Sequence, residues 1–344
     1  VIAQPRRRAR TLTSACTLLA AVLSLAACGN KHDNLSAPSA KSFPVMLDSL
    51  PNADHDALYS ALAAGAFRTV GLDVRLESPA EPSEPLELLA AGRVDLAISS
   101  EPELLLARDR GMKLVSIAAL VQRPLASIIA LGGRHITGLA GLAGKRVGTA
   151  GEPYQAQELK TALEKAHVKP GSVREADVGP NLLPAMLSGR VDATLGGFWN
   201  YQAIQLRLAH RHPLVIPVND AGVPNYDELV IVAREQQART DGQDLRAFLQ
   251  ALTSGQRAVE ASPQAATATL LAANPSLDRP LQLESLRQTL PAARPTESGK
   301  PYGWQSPGQW ATFGYWMLNH KLLEHNPNGA LPPFTNEFLP GQGI

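Results

Sequence analysis

Two α/β lobes of similar build, joined by a hinge and facing each other across a cleft, are what this sequence predicts. Three observations predict it. The pattern LAAGRVDLAI at 89–98 returns as MLSGRVDATL at 186–195, a separation of 97 residues. Short apolar runs alternate with helical stretches, which implies βαβ crossovers and mostly parallel sheets. The 317 residues after position 27 exceed what one core readily fills, since single cores stop growing near ~250–300 residues.

One physical unit explains both copies of the repeat. A helix ends at a glycine, Gly92 or Gly189, free to take the left-handed cap conformation, and a short buried strand follows. The preceding helices are expected to begin at Ser83-Glu84-Pro85 and at Asn181. Around the first copy, 44–47, 72–76, 94–98 and 113–121 read as strands, with helices at 54–64, 83–91 and 101–110. Strands at 145–148, 172–178, 191–195 and 214–218 follow, then a returning strand at 228–233 and helices at 241–261, 264–273, 281–290 and 307–320. This assigns 43–131 plus 222–344 to the first lobe and 132–221 to the second, with hinge crossings near 127–133 and 220–229.

Ligands of open α/β sheets bind beyond the carboxyl ends of the strands. The first copy delivers Ser99-Ser100-Glu101-Pro102-Glu103 there, and the second delivers Gly196-Gly197-Phe198-Trp199-Asn200-Tyr201. Aromatic residues make up 5% of the chain, yet three fall within 198–201. A carboxylate opposite such a cluster suits a flat, polar-edged ring. Glu101 is expected to pair with a ring nitrogen and an exocyclic amine, because a carboxylate accepts from both, and Trp199 is expected to stack. The glycine-bearing loop at 148–155 brings Tyr154 and Gln155 within reach of the same place.

Ahead of both lobes lies a basic head at 6–10, an apolar run at 11–27 and small residues before Cys28. That is the layout of a secretory signal, 1–27, and the run is too short for a comfortable membrane span. Leu25-Ala26-Ala27-Cys28 resembles a bacterial lipobox, which implies cleavage before Cys28 and a diacylglyceryl anchor whose two chains hold a membrane stably. Residues 28–42 read as the lipidated cysteine and a flexible tether. Loss of 1–27 removes four arginines and no acids, leaving 28 basic against 31 acidic side chains, so nucleic acid is not an expected partner. Cys16 leaves with the signal, so no internal disulfide is expected.

No phosphate-binding loop, dinucleotide fingerprint, nucleophile elbow or His-Glu-x-x-His run occurs. His210-Arg211-His212 reads as a solvated helix end, so neither a metal nor a cofactor is expected.

The segments 47–55, 99–103, 107–109, 120–124 and 196–201, with Trp310, Trp316-Met317 and 335–341, together resemble the NMT1/THI5-like solute-binding proteins of ABC transporters, above all the thiamine-precursor binders. The resemblance implies a type II periplasmic-binding fold and a monomer that delivers a pyrimidine to a permease, and through it to an ATPase. Its first-strand pocket maps onto Asp48, Asn52 and His55. Gln122, Asn200 and Tyr201 fall in matching segments and join the expected ligand set. One departure is Gln202, where relatives often carry an acid. Riboflavin, another flat heterocycle, or a sulfonate- or nitrate-type anion are the alternative ligands. The enzyme alternative is a pyrimidine synthase that consumes its own histidine; those enzymes carry a cysteine-rich segment that this chain does not have, so a binder is expected. The expected place is the outer face of the cytoplasmic membrane.

Overall fold

The structure is a computed structural model that describes residues 40–81, 84–132, 135–327 and 332–342. The signal at 1–27, the expected lipid site Cys28, most of the tether and Ser83 lie outside the described residues.

Ten strands form two five-stranded sheets. β1 (Lys41–Met46), β2 (Leu72–Glu77), β3 (Leu96–Ser99), β4 (Leu114–Val121) and β10 (Leu229–Arg234) make the first, in the order β2-β1-β3-β10-β4. β5 (Ala126–Leu131), β6 (Arg146–Thr149), β7 (Arg174–Asp177), β8 (Ala193–Phe198) and β9 (Pro213–Pro217) make the second, in the order β7-β6-β8-β5-β9. Each sheet has three parallel strands, then an antiparallel strand supplied by a crossing between the lobes: β10 in the first and β5 in the second.

The repeat is built as one unit twice. Gly92 and Gly189 both take positive φ, +71° and +76°, at the ends of their helices. Asp95 N–H then donates to Pro44 O, and Asp192 N–H to Arg146 O, each at 2.8 Å. Leu96 pairs with Val45 in one sheet and Ala193 with Val147 in the other, so the registers coincide.

Among the described residues the α-helices are α1 (Asp56–Ala63), α2 (Ala66–Thr69), α3 (Glu84–Ala90), α4 (Glu101–Asp109), α5 (Gln155–Lys165), α6 (Leu182–Leu187), α7 (Gln202–Leu208), α8 (Glu235–Thr240), α9 (Gly242–Ala261), α10 (Pro263–Ala273), α11 (Arg279–Thr289) and α12 (Pro307–Asn319). α1, α9, α10 and α11 cover one face of the first sheet, with Phe248 stacked on Phe43 and Phe67 at 5.6 and 5.0 Å. The other face shares an apolar cluster with α12 and with residues of the second sheet and α5.

β5 is where the structure departs from the sequence reading. ASIIAL at 126–131 was expected to close the first lobe and enter the hinge; its pairing with β8 and β9 puts it inside the second sheet. The outward crossing is therefore the short stretch 122–125. The reason is physical: an all-apolar run gives no period by which to tell which sheet it completes.

Candidate functional site

The carboxyl ends of β1 and β3, the start of α4, the loop before α5 and the end of β8 converge on one cleft between the lobes. Its inner cavity measures about 180 Å³. Asp48, Ser99, Ser100 and Glu103 line it from the first lobe, and Glu152, Tyr154, Gln155, Gly196 and Phe198 from the second; Glu228, at the end of the returning crossing, forms part of its wall. Glu103 and Glu152 also border an outer cavity of about 270 Å³ that includes Arg110 and Glu87. The two ends of the repeat therefore do face one another.

Local sequence explains the Glu103 carboxylate, and a long-range contact holds that of Glu228. Ser100-x-x-Glu103 is a capping box: Ser100 Oγ accepts from Glu103 N–H, and Glu103 Oε2 accepts from Ser100 N–H. Ser99 Oγ–H donates to the same Oε2 at 2.6 Å. Burial pushes the Glu103 carboxyl up to about 7; the Ser99 bond opposes this, while Glu152 across the cleft adds to it. Glu228 Oε2 accepts Leu125 N–H at 2.6 Å and Ala126 N–H at 3.2 Å, so its carboxylate ties the returning crossing to the outgoing one. Burial raises it to about 7 against the pull of those two donors.

Asp48 and His55 form a fixed pair. His55 is fully buried; its Nδ1 accepts Asn52 N–H at 3.2 Å, so the proton sits on Nε2, which donates to Asp48 Oδ1 at 2.7 Å. Burial works against ionisation of Asp48, but its interaction with the adjoining His55 imidazole outweighs it and holds the carboxyl below its usual range. Asn52 itself caps the 3-10 turn Ala53–His55, its Oδ1 accepting from Asp54 N–H at 2.8 Å. Asn52 and His55 thus set the position of Asp48 and are not part of the cleft wall.

On the second lobe, Gln155 Oε1 accepts Ala150 N–H at 2.8 Å. That fixes the amide so that its Nε2 lies over Gly196, where a Cβ would approach it to 2.3 Å. Gly196 holds φ at +102°, which a side chain rarely tolerates. The glycine makes room for the glutamine. Tyr154 and the half-buried Phe198 supply the aromatic surface.

Several expected site residues sit elsewhere. Glu101 is fully buried: its Oε2 accepts Asp227 N–H at 2.8 Å, and its carboxyl is raised well above the usual range by burial and the Asp227 charge. It occupies the core beside the returning crossing, because two residues along the first turn of α4 rotate Glu103, and not Glu101, towards the cleft. Trp199 donates from Nε1 to Pro124 O at 2.9 Å and packs on the first lobe's core. Phe198, one residue earlier, faces the cavity in its place, as the alternation of β8 requires. Asn200 is fully buried, its Nδ2 bridging Asp54 Oδ1 at 2.8 Å and Thr289 Oγ1 at 2.7 Å. The Tyr201 hydroxyl accepts from Gln282 Nε2 at 3.4 Å. These two join the lobes rather than line the cleft. Gln122 is buried in the outgoing crossing and accepts Asn225 Nδ2–H on its backbone oxygen at 3.1 Å. Gln202 Oε1 accepts Phe198 N–H at 2.7 Å and fixes the turn that presents Phe198.

Comparison with known proteins places this geometry. A family profile described as NMT1/THI5 like matches residues 52–266. The formylaminopyrimidine-binding protein of Halalkalibacterium halodurans is 33% identical over 311 residues, covering 90% of this chain and 94% of that protein. A 4-amino-5-hydroxymethyl-2-methylpyrimidine phosphate synthase of Saccharomyces cerevisiae is 24% identical, covering 71% of this chain and 74% of that one. Among solved structures, the periplasmic aliphatic sulphonate binding protein of Escherichia coli superposes with a TM-score of 0.67 at 16% identity, covering 83% of this chain and 94% of that one. The fold is that of a periplasmic binding protein, as the sequence predicts.

Proposed function

This chain belongs to the NMT1/THI5-like family, and we propose that it is an extracytoplasmic substrate-binding protein of an ABC importer that closes on a thiamine-precursor pyrimidine. The observation that carries the reading is the cleft itself: carboxylates of both lobes and the aromatic faces of Tyr154 and Phe198 surround a cavity of about 180 Å³. An aminopyrimidine offers what such a wall lacks, N–H donors on its edge and a flat face to stack. Asp48, Glu103 and Glu228 accept from the ring substituents, Gln155 Nε2 donates to a ring nitrogen, and Phe198 stacks. A sulfonate or nitrate is disfavoured, because among the described residues the cavity lining carries four carboxylates and no cationic side chain. A tricyclic flavin is disfavoured by the volume.

Binding without turnover is favoured by His55, which is fully buried and engaged on both ring nitrogens, a poor arrangement for a histidine that is to be consumed. Ligand touching both lobes favours the closed form, and only contacts made preferentially there can do so. Lipidation at Cys28, a monomeric state and delivery to a permease complete the proposal.

The test is a thermal-shift and calorimetric screen of the purified protein with hydroxymethyl- and formylaminomethyl-pyrimidine, thiamine, riboflavin and an alkanesulfonate. A pyrimidine at about a thousand times its Kd should raise the Tm by about 5 °C or more. Phe198→Ala should then weaken it by about tenfold or more, since stacking of a base on an aromatic ring contributes about 1–3 kcal/mol. A sulfonate that outperforms every pyrimidine sinks the reading.

A further inference from the structure

Charge distribution in the cleft is lopsided in a way that ring shape and stacking do not require. Asp48, Glu103, Glu152 and Glu228 all border the inner cavity, from the first lobe, the second lobe and the crossing between them, and among the described residues no Lys, Arg or His is part of its wall. Tyr154 adds its ring to that wall, and Glu158 is buried with its Oε1 accepting from the Tyr226 hydroxyl at 3.4 Å. His55 faces Asp48 from below and gives it one hydrogen bond. On the solvent side Arg110 is exposed at the rim of the outer cavity together with Glu87.

Resting on the reading above, we propose that the preferred ligand is a cation: a pyrimidine, or a ring of that size, bearing a primary ammonium on its side arm, rather than the neutral formylamino or hydroxymethyl compound. The ammonium's three donors have no competing cation to displace and meet carboxylates contributed by both lobes. Closure is where the charge matters most. Glu103 and Glu152 stand on opposite lobes and repel one another, as the upward push of Glu152 on the Glu103 carboxyl records. A neutral solute leaves that repulsion in the closed form. An ammonium between them removes it, and so makes its gain preferentially in the closed state.

The direction of the pH dependence follows from the same groups. Glu103 and Glu228 rise to about 7 through burial, and Glu152 is raised as well. Glu103 and Glu228 are charged at pH 8 and lose charge as the pH falls, whereas an alkylammonium keeps its proton throughout, so the preference for the cation is strongest at the alkaline end.

Calorimetry with aminomethyl-, hydroxymethyl- and formylaminomethyl-pyrimidine on the intact protein tests this. At pH 8 and low salt the aminomethyl compound should bind at least about tenfold more tightly than either neutral one, with the ratio shrinking at pH 5.5 and in Glu103→Gln. Benzylamine and benzyl alcohol, tested by thermal shift at millimolar concentration, pose the same question without a pyrimidine. If all pyrimidines fail and benzylamine still outperforms benzyl alcohol, the cation preference stands and the pyrimidine reading falls. Equal or weaker binding of the ammonium member in both pairs overturns the proposal.

Discussion

Just past the repeat, the aligned positions Ser99 and Gly196 carry different residues, and each sets a part of the cleft wall. Ser99 ends β3, and its hydroxyl donates to Glu103 at 2.6 Å, aiming a carboxylate from the first lobe. Gly196, 97 residues on, has no side chain, and the vacant space holds the amide of Gln155. The conserved part of the unit, with its capping glycine, buried valine and paired strand, builds the scaffold twice. The residue just past it differs in what it sets: Ser99 holds the Glu103 carboxylate, and Gly196 leaves room for the Gln155 amide.

The sharpest way to break this comparison is to put a side chain where the second copy has none. Gly196→Ala meets two penalties together, a left-handed backbone worth about 1–2 kcal/mol and a Cβ 2.3 Å from Gln155 Nε2. Urea unfolding should show a loss of about 2 kcal/mol or more, and calorimetry a fall in ligand affinity of about tenfold or more, because Gln155 must leave its place. Ser99→Ala, the counterpart in the first lobe, frees Glu103 without a clash and should cost less in both measurements. Unaltered affinity in Gly196→Ala would separate Gln155 from the site.

How far the sequence could be read follows the same division. The repeat, its glycines and the facing strand ends were legible because each is a local pattern with one physical solution. Asp48, Tyr154 and Gln155 were legible as strand-end or loop residues. Glu101 and Trp199 misled because the choice between them and Glu103 or Phe198 turns on one or two residues of helical or strand phase, which composition does not register. The Ser100-x-x-Glu103 capping box was the available signal, since it fixes which way Glu103 turns. Glu228 had no local signal: its role depends on two backbone donors 102 and 103 residues away. Strand β5 was lost because an apolar run without alternation does not tell which sheet it completes.

A second comparison sets the carboxylates of the cleft against those of the core. Glu103 and Glu228 in the cleft rise to about 7, as does Asp227 in the core, while Asp56 and Glu158, also in the core, rise to about 8. Burial is the leading cause in all five. Because the folded values exceed the unfolded ones, the folded state holds more protons between about pH 4 and 8. Stability is therefore greatest at the acid end of that window and falls as the pH rises through it. A thermal scan should give a Tm about 5 °C or more higher at pH 5.5 than at pH 8.5. An ammonium ligand should recover part of the alkaline loss by neutralising the cleft pair, and leave the core groups untouched. A Tm that climbs with pH would show that the buried carboxyls are compensated by contacts other than those described.

The smallest effect is the most direct test of the repeat as a single physical unit. Gly92 and Gly189 occupy the same left-handed cap at +71° and +76°, and a Cβ at Gly92 would meet nothing within 4 Å. Alanine at either position therefore faces the same backbone strain, and at Gly92 it does so without steric conflict. Each substitution should cost about 1 kcal/mol, and the two values measured by urea unfolding should agree to within about 0.5 kcal/mol. Ligand affinity should not follow either change, because both glycines sit at the far ends of β3 and β8 from the cleft. Costs that differ by more than that margin would mean that the shared sequence is seated in unlike surroundings, and that the second lobe reaches the same cap conformation by different packing.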